Sequence, residues 1–207
     1  MLISSLIGTT FAWFTDSVTS AGNQIISGNL KIDLRHKVGD GWISLKENTD
    51  HLVFDYDNWE PGFTASETLE IVNLGSLALQ YKLSVSREDN SATLGKNGED
   101  LADIIDVYVS LEDGTDASFA EIQTSDKWVK KGTLKEVLAD PAKFIGGELL
   151  PTGETLPDGA KDSTKIGSTK VRVALHMQET AGNEYQNLSV GNVFVNLIAT
   201  QHTDGRH

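Results

Sequence analysis

The strongest signal along the chain is a period of two. Leu77, Leu79, Tyr81, Leu83 and Val85 alternate with Ala78, Gln80, Lys82, Ser84 and Ser86, the pattern of a strand with one face in a core and the other in water. Three more stretches repeat it. Leu30, Ile32 and Leu34 alternate with Lys31, Asp33 and Arg35; Ile105, Val107, Val109 and Leu111 with Asp106, Tyr108 and Ser110; and Val171, Val173, Leu175 and Met177 with Arg172, Ala174 and His176. In the last run, Val193 to Thr200, Phe194 and Ile198 place apolar groups on the second face as well. That strand is expected to be covered on both sides. Helical pattern is confined to Asn97–Ile104, after a turn, and Thr133–Ala139, where Thr133 and Glu136 stand at capping-box spacing ahead of Pro141.

Between the strands lies turn chemistry: Gly39-Asp40-Gly41, Glu60-Pro61-Gly62, Asp113-Gly114, Gly146-Gly147, Pro157-Asp158-Gly159 and Ala181-Gly182-Asn183. Many strands, few short helices and no strand–helix–strand alternation predict an all-β fold, an antiparallel jelly-roll-type β-sandwich with a few short helices and loop insertions. The stretch from Ile145 to Ile166, rich in Gly, Pro, Thr and Asp, reads as a surface excursion within that domain.

Composition narrows the class. The chain has 207 residues, 39% hydrophobic, with 17 Lys+Arg against 30 Asp+Glu and no cysteine. Its hydrophobic fraction is that of a folded domain with a core and not of an acidic disordered tail. A net charge of −13 repels nucleic acid and anionic membrane surfaces, so neither is expected as a partner. Without cysteine there are no disulfides, thiol nucleophiles or Cys-ligated metals. The first twelve residues, Met1 to Ala12, carry no charge. Too short to span a bilayer, which needs about 20 apolar residues, they match the apolar core and small-residue cleavage site of a secretory signal peptide, with Thr10 and Ala12 at the cleavage positions. No basic leader precedes them, so either the reading frame begins upstream or this stretch is an ordinary N-terminal strand.

The search for catalytic chemistry returns mostly exclusions. The chain contains no G-x-G-x-x-G, no G-x-x-x-x-G-K-[ST] and no G-x-S-x-G, which removes the dinucleotide, P-loop and hydrolase-elbow readings. His36, His51, His176, His202 and His207 are scattered and form no H-E-x-x-H, the helical spacing that turns two imidazoles toward one zinc. His176, at a polar position of its strand, is expected to be exposed. Acidic pairs in loops, Asp55/Asp57, Glu99/Asp100/Asp103 and Asp158/Asp162 among them, have the hard oxygens that calcium needs. Glu112, Asp113 and Asp116 are the calcium candidates, although no complete EF-hand loop is present. Solvated surface charge accounts for the same residues, and no cofactor is expected.

Four pieces of sequence together resemble one family. Gly8-Thr9-Thr10-Phe11-Ala12-Trp13-Phe14-Thr15-Asp16 looks like the processing site and mature start of the TasA/camelysin proteins. Ser27-Gly28-Asn29-Leu30-Lys31-Ile32 resembles their S-G-x-L-x-L strand, and Asn73-Leu74-Gly75-Ser76-Leu77-Ala78 their N-x-G-S-L-A strand–turn–strand. Tyr185-Gln186 with Ala199-Thr200-Gln201 is similar to the closing strand. The matches run in family order over nearly the whole chain, while 118–168 aligns with no family motif.

The resemblance implies a secreted structural subunit of biofilm matrix fibres, at the cell surface or in the extracellular matrix, trimmed by a SipW-type signal peptidase. Its partners would be further copies of itself and an accessory or anchoring matrix protein. It divides the chain into a residual signal segment (1–12), a donor-strand candidate (13–23), a jelly-roll domain (24–201) and a polar tail (202–207). Cleavage between Ala12 and Trp13 would free Trp13, Phe14, Thr15, Asp16 and Val18 to complete a neighbour's sheet, leaving no stable membrane span. Segment 13–23 has no proline, so every amide in it can donate to a ladder. Phe194 and Ile198 are the candidates for the acceptor groove. The same segment could instead fold back as its own subunit's first strand. Two other functions are carried forward: a camelysin-like cell-surface metallopeptidase, which these residues do not support, and a calcium- or glycan-binding adhesin.

Overall fold

The computed structural model describes residues 15–19, 22–24, 30–56, 59–75, 78–111, 117–149 and 167–201. The strands in chain order are β1 (Thr15–Thr19), β2 (Gly22–Gln24), β3 (Ile32–Val38), β4 (Gly41–Ser44), β5 (Thr64–Asn73), β6 (Leu79–Arg87), β7 (Ile105–Ser110), β8 (Val129–Thr133), β9 (Ile145–Leu149), β10 (Ser168–Met177) and β11 (Val193–Gln201). Two short helices, α1 (Phe119–Thr124) and α2 (Leu134–Ala139), flank β8. The strands form a five-stranded sheet in the order β2-β1-β11-β6-β9 and a six-stranded sheet in the order β4-β3-β5-β10-β7-β8. Every pairing is antiparallel. This is the all-β sandwich expected from the alternation.

The alternation fixes which residues meet. On β6 and β11, Leu83 pairs with Leu197 and Val85 with Val195; on the other sheet Leu34 pairs with Ile71, Val171 with Leu69 and Val173 with Val109. All ten are buried in one continuous core. Each contributes about 1.5–3 kcal/mol through the apolar surface it removes from water. Two glycines serve the ladders. Gly39 adopts φ +57 in the β3–β4 turn, a left-handed conformation that glycine takes without steric cost. Gly147 faces Tyr81, whose phenol oxygen stands 2.6 Å from where a Cβ would be.

Four sequence expectations change. The outer face of β10 is not wet, since Arg172, Ala174 and His176 are 9%, 0% and 1% exposed. Phe119 and Ile122 of α1, with Trp128, roof this face. Trp128 lies 4.8 Å from the Arg172 guanidinium, and Phe119 stacks on His176 at 3.4 Å. His176 Nδ1 is 2.8 Å from Thr64 Oγ1, while its Nε2 is buried without a hydrogen bond. Conversely, Ile198 of β11 is 44% exposed and Phe194 only half-buried. Among the described residues no second layer is built over that face, where Asn196 bonds Ser86. Third, the Asn97–Ile104 stretch gives only a 3-10 turn, Leu101–Asp103, because Glu99 binds the backbone and amide of Asn97 and Asp100 caps Ala102. Side-chain bonds of this kind compete with a continuous helix. Fourth, Ile145–Leu149 is strand β9, not part of an excursion. The capping box at Thr133 and Glu136 is formed as expected.

One ion pair fastens a corner of the core. Arg87, the last residue of β6, reaches Asp100 through parallel bonds of 2.9 and 2.7 Å. Burial alone would raise the Asp100 value, but the Arg87 bonds and the Ala102 N–H outweigh it and hold the carboxyl below its ordinary 3.8. Its folded-state value being depressed, Asp100 stabilises the fold fully above about pH 4, and this contribution is lost as pH falls through the lowered value. Asp100→Asn is expected to lower the urea midpoint at neutral pH and to flatten its decline below about pH 4, measured in a pH series of urea titrations.

Candidate functional site

The two ends of the chain meet along β11. Thr15 pairs with Thr200, Asp16 with Ala199, Ser17 with Ile198, Val18 with Leu197 and Thr19 with Asn196. Thr15, Asp16 and Val18, expected to donate, therefore stand beside Ile198, expected to receive. Phe194 lies beyond this ladder, opposite Ser86 of β6. The strand in this slot belongs to the same chain. Ala12, Trp13 and Phe14 lie outside the described residues, as do Glu112, Asp113, Asp116 and the tail 202–207.

A second constellation lies at the end of the six-stranded sheet. On β3, Ile32, Leu34 and His36 share one parity, and on β5 Glu67, Leu69 and Ile71 share another; the register sets His36 against Leu69 and Leu34 against Ile71. The inward rows thus end in an imidazole that is 5% exposed and a half-buried carboxylate. The segment after β4 folds over them and brings in His51 and Tyr56. His36 Nε2 is 2.6 Å from Glu67 Oε2, and His36 Nδ1 is 2.8 Å from His51 Nε2. Tyr56 donates its hydroxyl to the other oxygen of Glu67.

Because a carboxylate only accepts, the His36 Nε2–H donates to Glu67, while at Nδ1 a neutral His36 accepts from His51 and an imidazolium donates to it. With both rings neutral, donation runs from His51 through His36 to Glu67, with Tyr56 feeding the same carboxylate. Burial, reinforced by His36, pulls the His51 value below its ordinary 6.5, against the opposing pull of Glu67 and Asp55. The Tyr56 ring meets Trp59 and Phe63 edge-on at 6.0 and 5.9 Å, the favoured geometry for aromatic pairs. Beside it opens a polar cleft of about 400 Å³ lined by Asp55, Tyr56, Glu88, Asp89, Asn90 and Asn192.

The signal for this cluster was available in the alternation. His36 and Glu67 both occupy positions of apolar parity, where a titratable group must find a partner or stay neutral. His51 and Tyr56 carried no such mark, since they reach the cluster from an irregular segment.

Taken together, these features define a β-sandwich protein whose first strand closes against its last and whose core ends in a buried histidine–carboxylate chain. Within that class the protein belongs to the camelysin metallo-endopeptidase family, whose sequence profile matches residues 1–206. No curated protein matches the chain.

The family description implies a metal. A catalytic zinc takes three protein ligands and keeps one position open. In the histidine chain, Glu67 and His51 lie on opposite edges of the His36 ring, each occupying one of its nitrogens. One ion cannot reach all three. Among the described residues no group of three or more His, Asp or Glu side chains is arranged to hold a metal, so these residues do not fit such a centre.

Tyr56→Phe keeps the aromatic packing and deletes one hydrogen bond to a carboxylate. A loss of about 1.5–3 kcal/mol in unfolding free energy is expected from urea titration.

Proposed function

We propose that the protein is a secreted structural subunit that polymerises head to tail into extracellular fibres of a biofilm matrix. Removal of residues 1–12 by a SipW-type signal peptidase would free the N-terminal segment to complete the sheet of a neighbouring copy. The observation that carries this reading is the ladder between β1 and β11. It joins the first strand of the chain to the last through main-chain bonds, which any strand of the same length can supply. In the isolated chain β1 fills the slot itself; in a fibre the neighbour's segment would fill it. Such a contact joins two different surfaces, so it does not close on itself and generates an open filament.

Partner specificity would come from the alternate side chains of the donor. Trp13 and Phe14 are the anchors in this scheme, each burying about 150–250 Å² if fully enclosed. The chain's other partner would be an accessory matrix protein that anchors the fibre. No enzymatic activity is part of this reading.

Deleting residues 13–24 from the processed protein should abolish filaments in electron micrographs while leaving a folded monomer by circular dichroism; filaments that persist without the segment would refute strand donation. Casein cleavage by the pure protein is expected to stay at the buffer rate with or without added zinc. Chelator-sensitive cleavage would restore the peptidase reading.

A further inference from the structure

Among the described residues, segment 45–56 meets the sandwich at both ends, where Lys46 also reaches the Ile32 carbonyl at 3.5 Å. Leu45 donates its N–H to Leu34 at 2.8 Å, and Val53 and Phe54 reach the core. Between these anchors the backbone bonds inward on itself, Asn48 to Ser44 and His51 to Asn48. The ring-to-ring bond from His51 to His36 ties the middle of the segment to β3, and the Tyr56 hydroxyl ties its end to β5.

We propose that the His51–His36–Glu67 chain is a proton-sensitive latch that holds segment 46–52 against the sheet at neutral pH and releases it in mild acid. The geometry admits one proton and not two. A single proton on either ring leaves the ring-to-ring bond intact, since one imidazole then donates and the other accepts. A second would have to enter between the rings, where a hydrogen already points across 2.8 Å. Two imidazoliums facing each other there keep no hydrogen bond and repel. Glu67 and Asp55 oppose this repulsion only in part, since burial and His36 still hold the His51 value down.

The surrounding groups set the direction. The ionisable groups acting on His51 are His36, Glu67 and Asp55, and Tyr56 joins them through Glu67. His36 faces Leu69 of β5 and Ile43 of β4 in register, and Glu67 faces Val173 of β10, so the flanking strands add apolar neighbours. The closed form lowers the proton affinity of His51, whereas a released segment returns it toward the ordinary histidine value. Closure is therefore favoured fully above about pH 6.5 and weakens as pH falls below it.

This latch does not depend on fibre formation, although β1 packs across the sandwich against β3. On the strand-exchange reading, release of the segment would loosen the neighbourhood from which β1 departs.

The test uses the monomeric protein. Amide hydrogen exchange across 46–52, corrected for the intrinsic pH dependence of exchange, should be faster at pH 5 than at pH 7. His51→Gln keeps an Nε2–H donor within reach of His36 but cannot be protonated, so its protection should be the same at both pH values. A His51→Gln profile that still follows the wild type would overturn the latch. In the unaltered protein, nitrogen-15 shifts of the histidine rings give an independent readout. The His51 ring should become fully protonated in the same step in which segment 46–52 loses protection, and opening while that ring is still neutral would equally overturn the proposal.

Discussion

The pairing of β1 with β11 is the constraint on which the five-stranded sheet depends. β11 lies inside that sheet, with β6 on one edge and β1 on the other. A strand in this position exposes a full row of main-chain donors and acceptors if one neighbour is missing. The missing neighbour is supplied by the opposite end of the chain, so the pairing closes a loop of nearly the whole sequence. Contacts of such long range form late, because loop closure must be achieved before they contribute. Until then the β11 edge is open. On the proposed strand exchange, a second chain presenting the same segment would compete for it on equal main-chain terms, which would set polymer formation against monomer closure.

How much of this was legible in the sequence depends on whether a signal was local or tertiary. The parity of β3, β6, β7 and β10 named the core side of each strand correctly, since a period of two records which face meets apolar neighbours. It could not say what lies on the other face. Arg172, Ala174 and His176 read as solvent-facing, yet α1 and Trp128 cover them. The Ser118 and Glu121 capping box that starts α1 was present in the sequence, although nothing local indicated where the helix would dock. Ile198 failed in the opposite sense, as an apolar residue on an open face. At the candidate site, the sequence reading named Thr15, Asp16 and Val18 as donors to a neighbouring copy and Ile198 as part of its groove; within the chain these residues meet on β1 and β11, with Ser17 opposite Ile198, and the histidine chain was not named.

The buried charges explain why an acidic chain can keep a dry core. Asp33, Asp100 and Asp106 are each about 5% exposed. Arg35 and Ser44 satisfy the first, Arg87 and the Ala102 N–H the second, Lys130 and Gln178 the third. A buried carboxylate without such partners would cost several kcal/mol, on the order of the stability of the whole domain. With these carboxylates neutralised at the sheet margins, most of the excess negative charge is left on the surface, where it repels other copies.

Charge and edge design together then decide which way copies can join. Among the described residues the sheet edges are β2, β9, β4 and β8, none longer than five residues. β8 carries Lys130 and Lys131 and a register shift opposite Val107 and Tyr108, and β9 carries the Gly146-Gly147 pair. Short, charged and irregular edges discourage side-by-side pairing. A net charge of −13 adds repulsion to any approach of like surfaces. The β11 flank is different: it offers a five-residue register to a segment whose single charge in 13–23 is Asp16. Strand addition at that flank would ask least of the electrostatics and gain most from the main chain, so on the proposed function copies would add along one axis rather than side by side.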